Sequence, residues 1–514
     1  MGNRGKRAAV ALAAVLATLA TGPVYAAPSP PGGGDPGGGQ RPSGSIQPSS
    51  PPSTSEEPPS LPKTTVLPGP LPDEPPPVDS GLTPSPPDAA PAPDFPYKKG
   101  TQCVRSSVTG PGLPTRPWAQ DSLRVDDVHK FVTGKGQKVA VIDTGVHRHP
   151  FLQNRVQAGG DYVDSAFKGV DDCDGHGTIV AGIIAANTDP DGTHPNIGFD
   201  GMAPDANILS IRQTSKYYKT GDDSRPTAGT LDTLAKAVAY AASQGVGVIN
   251  ISLTSCIPKN STSIAASYRV LQAAIDYAVN KKDAVVVAAA GNLDPSPNGC
   301  SQQNDNPDPD EVSSVPLPPW FSDDVLSVGS IGKNGDPSPF SIAGPWVSVA
   351  APGDQIISLD PAGNALVNQK AEEPNAQPGP IEGTSFAAPY VSGLAALVRQ
   401  KFPNLNAHQV MHRIEATAQH PAAAGGRDNE VGHGMINPVG ALTMEVPGEQ
   451  GSVQPAQAEN LPANLPLPYE KDWTPTIVAL AGTGAGFFLL VLTVFIMRTV
   501  QRNRRRRGDG TTGR

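Results

Sequence analysis

"KVAVIDTG", residues 138–145, sets four apolar residues in a row and then closes on an aspartate and a Gly-containing turn. A strand wetted on one face alternates polar and apolar residues. A run without alternation predicts a strand buried on both faces, as in a parallel sheet covered by helices. The same pattern recurs in "NILSIR" (207–212), "GVGVINISL" (245–253), "DAVVVAAAGN" (283–292), "VLSVGS" (325–330) and "WVSVAAPG" (346–353). Helical stretches stand between them, among them "LDTLAKAVAYAASQG" (231–245) and "IAASYRVLQAAIDYAVNKK" (264–282). Strand, loop and helix in repetition predict an α/β fold, a doubly wound parallel sheet with helices on both faces. In such a sheet, reactive groups gather where strands end and helices begin.

Three such junctions carry unusual polar residues. Asp143 ends an apolar strand, where a lone carboxylate is costly without a partner. In "DCDGHGTIVAGIIAA" (172–186), His176 stands between two glycines at the start of an apolar helix. In "IEGTSFAAPYVSG" (381–393), Ser385 follows Gly383 and Thr384 at another helix start. Taken singly they read as a turn aspartate, a helix-start histidine and an N-cap serine. Together they supply a carboxylate, a base and a nucleophile. A serine hydroxyl needs an imidazole to take its proton, and the imidazole needs a carboxylate to fix its tautomer. Asn292, ending "VVVAAAGN", could aim its amide at a developing oxyanion together with the Ser385 backbone N–H.

"VIDTG", "GHGTIVAG", "AAGN" and "GTSFAAPYVSG", in the order Asp, His, Asn, Ser, resemble the subtilisin-like serine proteases, whose triad has this chain order. The resemblance covers about 300 residues and implies endopeptidase activity on a subtilisin-like parallel sheet. It also implies a substrate-binding edge at Ser252, Leu253 and Thr254, facing Ala290 and Gly291. Thr254 stands where the family usually has glycine, which should narrow the pocket for the residue before the cut bond. No G-x-S-x-G elbow points to a lipase or esterase instead. No cofactor is implied. His147, His149 and His433 lack ligand spacing, so no metal site is expected.

The two ends of the chain speak to location. "MGNRGKR" followed by "AAVALAAVLATLA" predicts a signal peptide over 1–26. Residues 476–497 form an uncharged apolar stretch long enough for a membrane helix. The tail 498–514 carries seven Arg against one Asp, which predicts a cytoplasmic C-terminus and a bulk outside the membrane. The formal net charge of −9 includes both basic ends, so the exported part is more acidic still. That argues against nucleic acid as a partner. The one helix anchors the chain in the lipid bilayer.

Residues 27–96 are rich in proline, with 23 prolines over 28–96, and predict a disordered arm. An N-terminal extension packed on the protease is expected over 97–120, the protease domain over 121–445 and a linker over 446–475. The arm cannot make a folded prodomain. Cys103, Cys173, Cys256 and Cys300 all lie in the exported part and have no C-x-x-C arrangement. Two disulfides are expected, with three possible connectivities.

Signal peptide, Pro-rich arm, "DDCDGHGTIVAGIIAA", the cysteine pattern and a terminal helix with a basic tail together resemble the mycosins. These are membrane-anchored subtilisin-like proteases of mycobacterial type VII secretion systems. The resemblance implies a setting on the outer face of the inner membrane, with substrates among exported proteins and with membrane components of a secretion complex as partners. The expected disulfides are Cys103–Cys173 and Cys256–Cys300, the first fastening the extension three residues before His176. Two long stretches, 293–320 and 358–380, read as irregular loops near the cleft and suggest restricted, selective proteolysis.

Overall fold

The computed structural model describes residues 67–68, 74–107, 113, 116–189, 198–222, 224–259, 261, 263–295, 299–304, 312–371, 376–449 and 474–508. The expected signal peptide, most of the arm before residue 74 and nearly all of the expected linker lie outside these residues.

Seven strands make the central sheet: β1 (Lys138–Asp143), β2 (Val156–Asp161), β3 (Asn207–Arg212), β4 (Val248–Ile251), β5 (Val285–Ala289), β6 (Leu326–Ile331) and β7 (Val347–Pro352). Their spatial order is β2-β3-β1-β4-β5-β6-β7, and every pairing is parallel. β1, the strand of the opening motif, is flanked on both sides. Val139 stands opposite Ile208 of β3 and Val248 of β4. Its residues after Lys138 are all buried, as a run without alternation requires.

Helices cover the sheet. α1 (His176–Ala185) packs on α4 (Thr384–Lys401), and α2 (Leu231–Ser243) packs on α3 (Ala266–Asp276), the two pairs forming two layers. α4 is apolar or small nearly all round, and every residue from Thr384 to Val398 is buried, so it is a core helix rather than an amphipathic one. α5 (Ala407–Ala416) closes the domain behind it. From β1 the chain moves outward to β2 and β3, then crosses back to β4. Connections therefore leave the C-terminal ends of β1 and β4 in opposite directions, and a crevice opens there.

Residues 74–96 depart from the expected disorder: they run along the domain. Gln272 Nε2 donates to the Pro76 carbonyl at 2.7 Å, Arg269 pairs with Asp79, and the Thr230 hydroxyl donates to Asp94 at 3.2 Å. A Pro-rich chain cannot build its own core, but it loses little entropy on docking, so a few contacts suffice to hold it on a surface already made. Further on, Tyr97–Lys99 pairs antiparallel with Tyr218–Thr220, and Trp118 Nε1 donates to the Asp354 carbonyl at 3.0 Å. The stretch 358–380 is also more regular than expected. Ser358–Leu359 pairs with Leu366–Val367, and Gln369–Lys370 pairs with both Gly379–Pro380 and Ser106–Ser107. Both disulfides, Cys103–Cys173 and Cys256–Cys300, are formed.

A last helix, α6 (Thr474–Gly508), runs through the apolar stretch and on into the basic tail. Its large apolar side chains from Leu480 to Val500 are exposed. Among the described residues it is the one helix long and apolar enough to cross a membrane, over Thr483–Arg502. Twenty residues at 1.5 Å each match a hydrocarbon core of about 30 Å.

Candidate active site

The crevice brings Asp143, His176 and Ser385 into one hydrogen-bonded line. His176 Nδ1 lies 2.7 Å from Asp143 Oδ1, and His176 Nε2 lies 2.8 Å from Ser385 Oγ. A carboxylate only accepts, so Nδ1 carries the proton and Nε2 presents its lone pair to the serine hydroxyl. Asp143 is fully buried, and its Oδ2 has no hydrogen-bond partner among the described residues. The Phe386 ring packs on His176 with centroids 4.9 Å apart, which leaves the imidazole side chain 17% exposed.

Gly177 makes the approach of α1 to β1 possible. A Cβ there would lie 2.0 Å from the Gly145 carbonyl oxygen and 3.2 Å from Asp143 Cβ. Gly383 has the corresponding role at α4, with φ at +146°, a conformation that side-chain-bearing residues rarely adopt. A Cβ at 383 would sit 3.1 Å from Ser385 Oγ and 3.4 Å from Asn292 Nδ2. The space kept open by that glycine is therefore bordered by the candidate nucleophile and the candidate oxyanion donor.

The orientation of the Asn292 amide follows from its partners. Thr384 donates to Asn292 Oδ1 twice, from its backbone N–H at 2.9 Å and from its hydroxyl at 3.0 Å. With Oδ1 held there, Nδ2 is left on the side of Gly383 and Ser385. The Ser385 N–H belongs to the first turn of α4, where backbone amides have no intrahelical acceptor. Two donors are thus available to one developing negative charge.

Ser252, expected at the substrate edge, lines the cleft, and its hydroxyl donates to the Ser385 carbonyl at 2.8 Å. The reason lies four residues along α4. Pro389 has no N–H, so the Ser385 carbonyl has no helical donor. Asn250 Nδ2 donates to Ser252 Oγ at 2.9 Å, and Ser392 Oγ donates to Asn250 Oδ1 at 2.7 Å. A buried polar chain from β4 thereby holds the backbone of the candidate nucleophile.

A cleft of about 290 Å³ opens beside the line of three, lined among others by Leu253, Thr254, Ala289, Asn292, Cys300, Asp174, Lys216 and Lys370. Ala290 and Gly291, expected at the substrate edge, are buried and do not line it; Ala289 does. Ala290 is fully buried, and its N–H donates to the Val328 carbonyl at 2.9 Å. Thr254 folds back, its hydroxyl 3.2 Å from the Ala289 carbonyl. Its Cγ2 and Cys300 Sγ both stand 3.2 Å from where a Cβ of Gly291 would be, so the end of the cleft is filled by a side chain and a disulfide.

Asp174, missed by the sequence reading, is buried in this cleft wall. It accepts from Ser215 Oγ at 2.5 Å and from the Lys216 N–H at 2.9 Å, and burial outweighs those bonds to raise its pKa. Its only sequence signal was its place in "DCDGHG". Lys216 and Lys370 had none, since each comes from a segment distant in sequence. His149 is buried and structural: Nδ1 accepts from the Phe151 N–H at 3.1 Å.

Residues 134–434 match the subtilase family. Mycosin-1 of Mycobacterium tuberculosis is 44% identical over 435 residues, covering 80% of this chain and 91% of that protein. The crystal structure of MycP1 from Mycobacterium smegmatis superposes with a TM-score of 0.66 at 43% identity, covering 76% of this chain and 100% of that one. A chain of an intact ESX-5 inner membrane complex superposes with a TM-score of 0.67 at 39% identity, covering 83% of this chain and 100% of that one. Agreement of this extent in sequence and fold settles the family: the chain belongs to the subtilases and, among them, to the mycosins.

Proposed function

We propose that the protein is a membrane-tethered serine endopeptidase in which Asp143, His176 and Ser385 form the catalytic triad. The observation that carries this is the continuous line from Asp143 through both ring nitrogens of His176 to Ser385 Oγ, at 2.7 and 2.8 Å. In the acylation step Ser385 Oγ attacks the peptide carbonyl carbon while His176 Nε2 takes the hydroxyl proton. Asn292 Nδ2 and the Ser385 N–H stabilise the oxyanion. His176 then gives its proton to the departing amine as the C–N bond breaks, leaving an acyl-serine ester. Water, deprotonated by the same imidazole, cleaves that ester and restores the enzyme.

Substrates are exported proteins, and the narrowed cleft supports selective cutting. α6 anchors the domain, with the Arg-rich end on the cytoplasmic side and the protease outside. The likeness to a chain of an ESX-5 inner membrane complex supports a place beside a type VII secretion machine. The same observation favours a second reading, a structural subunit of such a machine in which proteolysis is secondary.

Labelling of the full chain by a fluorophosphonate probe tests the triad, with Ser385→Ala as control. Label on the wild type alone is the expected result; a folded wild type that takes no label would overturn it. Secretion that persists with Ser385→Ala in the cell would support the structural reading.

A further inference from the structure

The carboxylate of Asp172 lies outside the line of Asp143, His176 and Ser385, yet it binds the backbone on either side of His176. Its Oδ1 accepts from Thr144 Oγ1 at 2.8 Å and from the Gly175 N–H at 2.7 Å. Its Oδ2 accepts from the Thr178 N–H at 2.8 Å and from Thr178 Oγ1 at 2.6 Å. Thr144 directly follows Asp143, and its own N–H donates to Asp143 Oδ1 at 2.7 Å. The Thr144 hydroxyl, held by Asp172, accepts from the Gly177 N–H at 3.0 Å. Thus the amides of Gly175, Gly177 and Thr178, which bracket His176, are bound by Asp172 or by the hydroxyl it orients. The Thr178 hydroxyl extends the set by accepting from the His147 N–H at 2.9 Å.

We propose that Asp172 is a positioning residue that fixes His176 against Asp143, an inference that rests on the triad reading above. A buried carboxylate with four donors around it sits in one orientation only, and it joins the end of β1 to the start of α1. Asp174, two residues on, is the charged neighbour that opposes its ionisation, and burial is the larger effect raising its pKa, to about 7. The four donors act the other way and make an ionised or partly ionised carboxyl the natural acceptor there.

Each carboxylate oxygen faces one backbone N–H, from Gly175 on one side and Thr178 on the other. A hydroxyl can turn to accept, but a backbone N–H cannot. In Asp172→Asn the amide NH₂ must therefore meet a backbone donor whichever way it is turned. The loop has to shift, and His176 shifts with it.

The test uses the full chain in detergent as wild type, Asp172→Asn, Thr144→Val and Ser385→Ala. Two quantities are measured: the rate of fluorophosphonate labelling, and the far-downfield proton resonance of the His176 Nδ1–H. Displacement of the imidazole by about 1 Å should slow labelling roughly 10²-fold in Asp172→Asn. Loss of the single bridging hydroxyl in Thr144→Val should slow it on the order of tenfold. Both variants should weaken or shift the resonance while keeping a cooperative thermal transition. Labelling within about twofold of the wild type in a folded variant, with the resonance unchanged, would overturn the proposal. Should Asp172→Asn fail to fold, Thr144→Val decides alone. Ser385→Ala keeps the two ideas apart, because labelling without Ser385 sinks the triad reading, whereas the resonance reports the Asp143–His176 contact in either case.

Discussion

Thr384 grips Asn292 through two hydrogen bonds to the same oxygen, 2.9 Å from its backbone N–H and 3.0 Å from its hydroxyl. The contact ties the residue before the proposed nucleophile to the residue that closes the "VVVAAAGN" run. One side of the proposed oxyanion site is thereby oriented by the other. Asn292→Ala is expected to lower kcat by about 10²–10³, the scale measured for such a donor in subtilisin and borrowed here. Thr384→Val keeps the backbone bond and loses the hydroxyl's bond to Asn292 and the one it accepts from the Gly291 N–H at 3.2 Å, so a smaller loss in kcat with little change in KM is expected. Steady-state hydrolysis of a peptide substrate checks both. A change in KM alone would show that Asn292 binds the ground state.

Ser252 and Pro389 form a second coupled pair. Ser252→Ala leaves the buried Ser385 carbonyl without a donor, and unfolding free energy should fall by about 1–3 kcal/mol. Pro389→Ala restores an N–H at the position that faces this carbonyl in the helix. The double variant should therefore lose less stability than Ser252→Ala, as measured by denaturant unfolding of all three. Simple additivity would show that the two residues do not share the carbonyl.

His149 makes a pH-dependent contribution. Burial holds its pKa down to about 4 in the folded chain, against an ordinary value near 6.5. As pH falls from 6.5 to 4, the unfolded chain binds a proton there and the folded chain does not, so stability is lost across that window. His149→Asn keeps an acceptor for the Phe151 N–H without a titrating ring. Whatever its stability at neutral pH, the variant's unfolding free energy should decline less between pH 6.5 and 4 than that of the wild type. Equal slopes in urea titrations would reject the assignment.

The disulfide Cys103–Cys173 closes a sequence separation of 70 residues and carries the N-terminal extension to the start of the His176 loop. In the chain-entropy account such a link contributes about 4 kcal/mol. Cys103→Ser with Cys173→Ser should lower the unfolding midpoint and expose residues before 118 to added trypsin. Unchanged digestion would mean that the pairing of Tyr97–Lys99 with Tyr218–Thr220 and the contacts of residues 74–96 hold the extension by themselves.

Much of the site was readable because each of its groups closes a contiguous pattern. Asp143 and Asn292 end apolar runs, and His176 and Ser385 stand behind glycines at helix starts, so the residues and their order imply one another before any contact is known. The parallel sheet was readable for the same local reason, since burial on both faces writes itself as a run without alternation. The membrane helix is also a local property, of length and composition.

Other assignments needed the tertiary structure. Ser252 reads only as a substrate contact until α4 is seen to bring a carbonyl without a helical donor to its hydroxyl. Ala290 reads as lining the cleft until packing is seen to bury it and leave Ala289 there. Residues 74–96 read as disordered by composition, yet they lie on surfaces assembled from α3 and from the Thr230 turn. Lys216 and Lys370 reach the site from segments that carry no motif of their own, and Asp172, inside the "DCDGHG" stretch, gives no sign in sequence of which groups it binds. The amino-acid sequence by itself determined which groups end strands and start helices, because hydrophobic period and turn chemistry act over a few residues. Only the tertiary structure decided what each group touches, because hydrogen bonds and packing join residues far apart in the chain, as His176 and Ser385 show across a separation of 209.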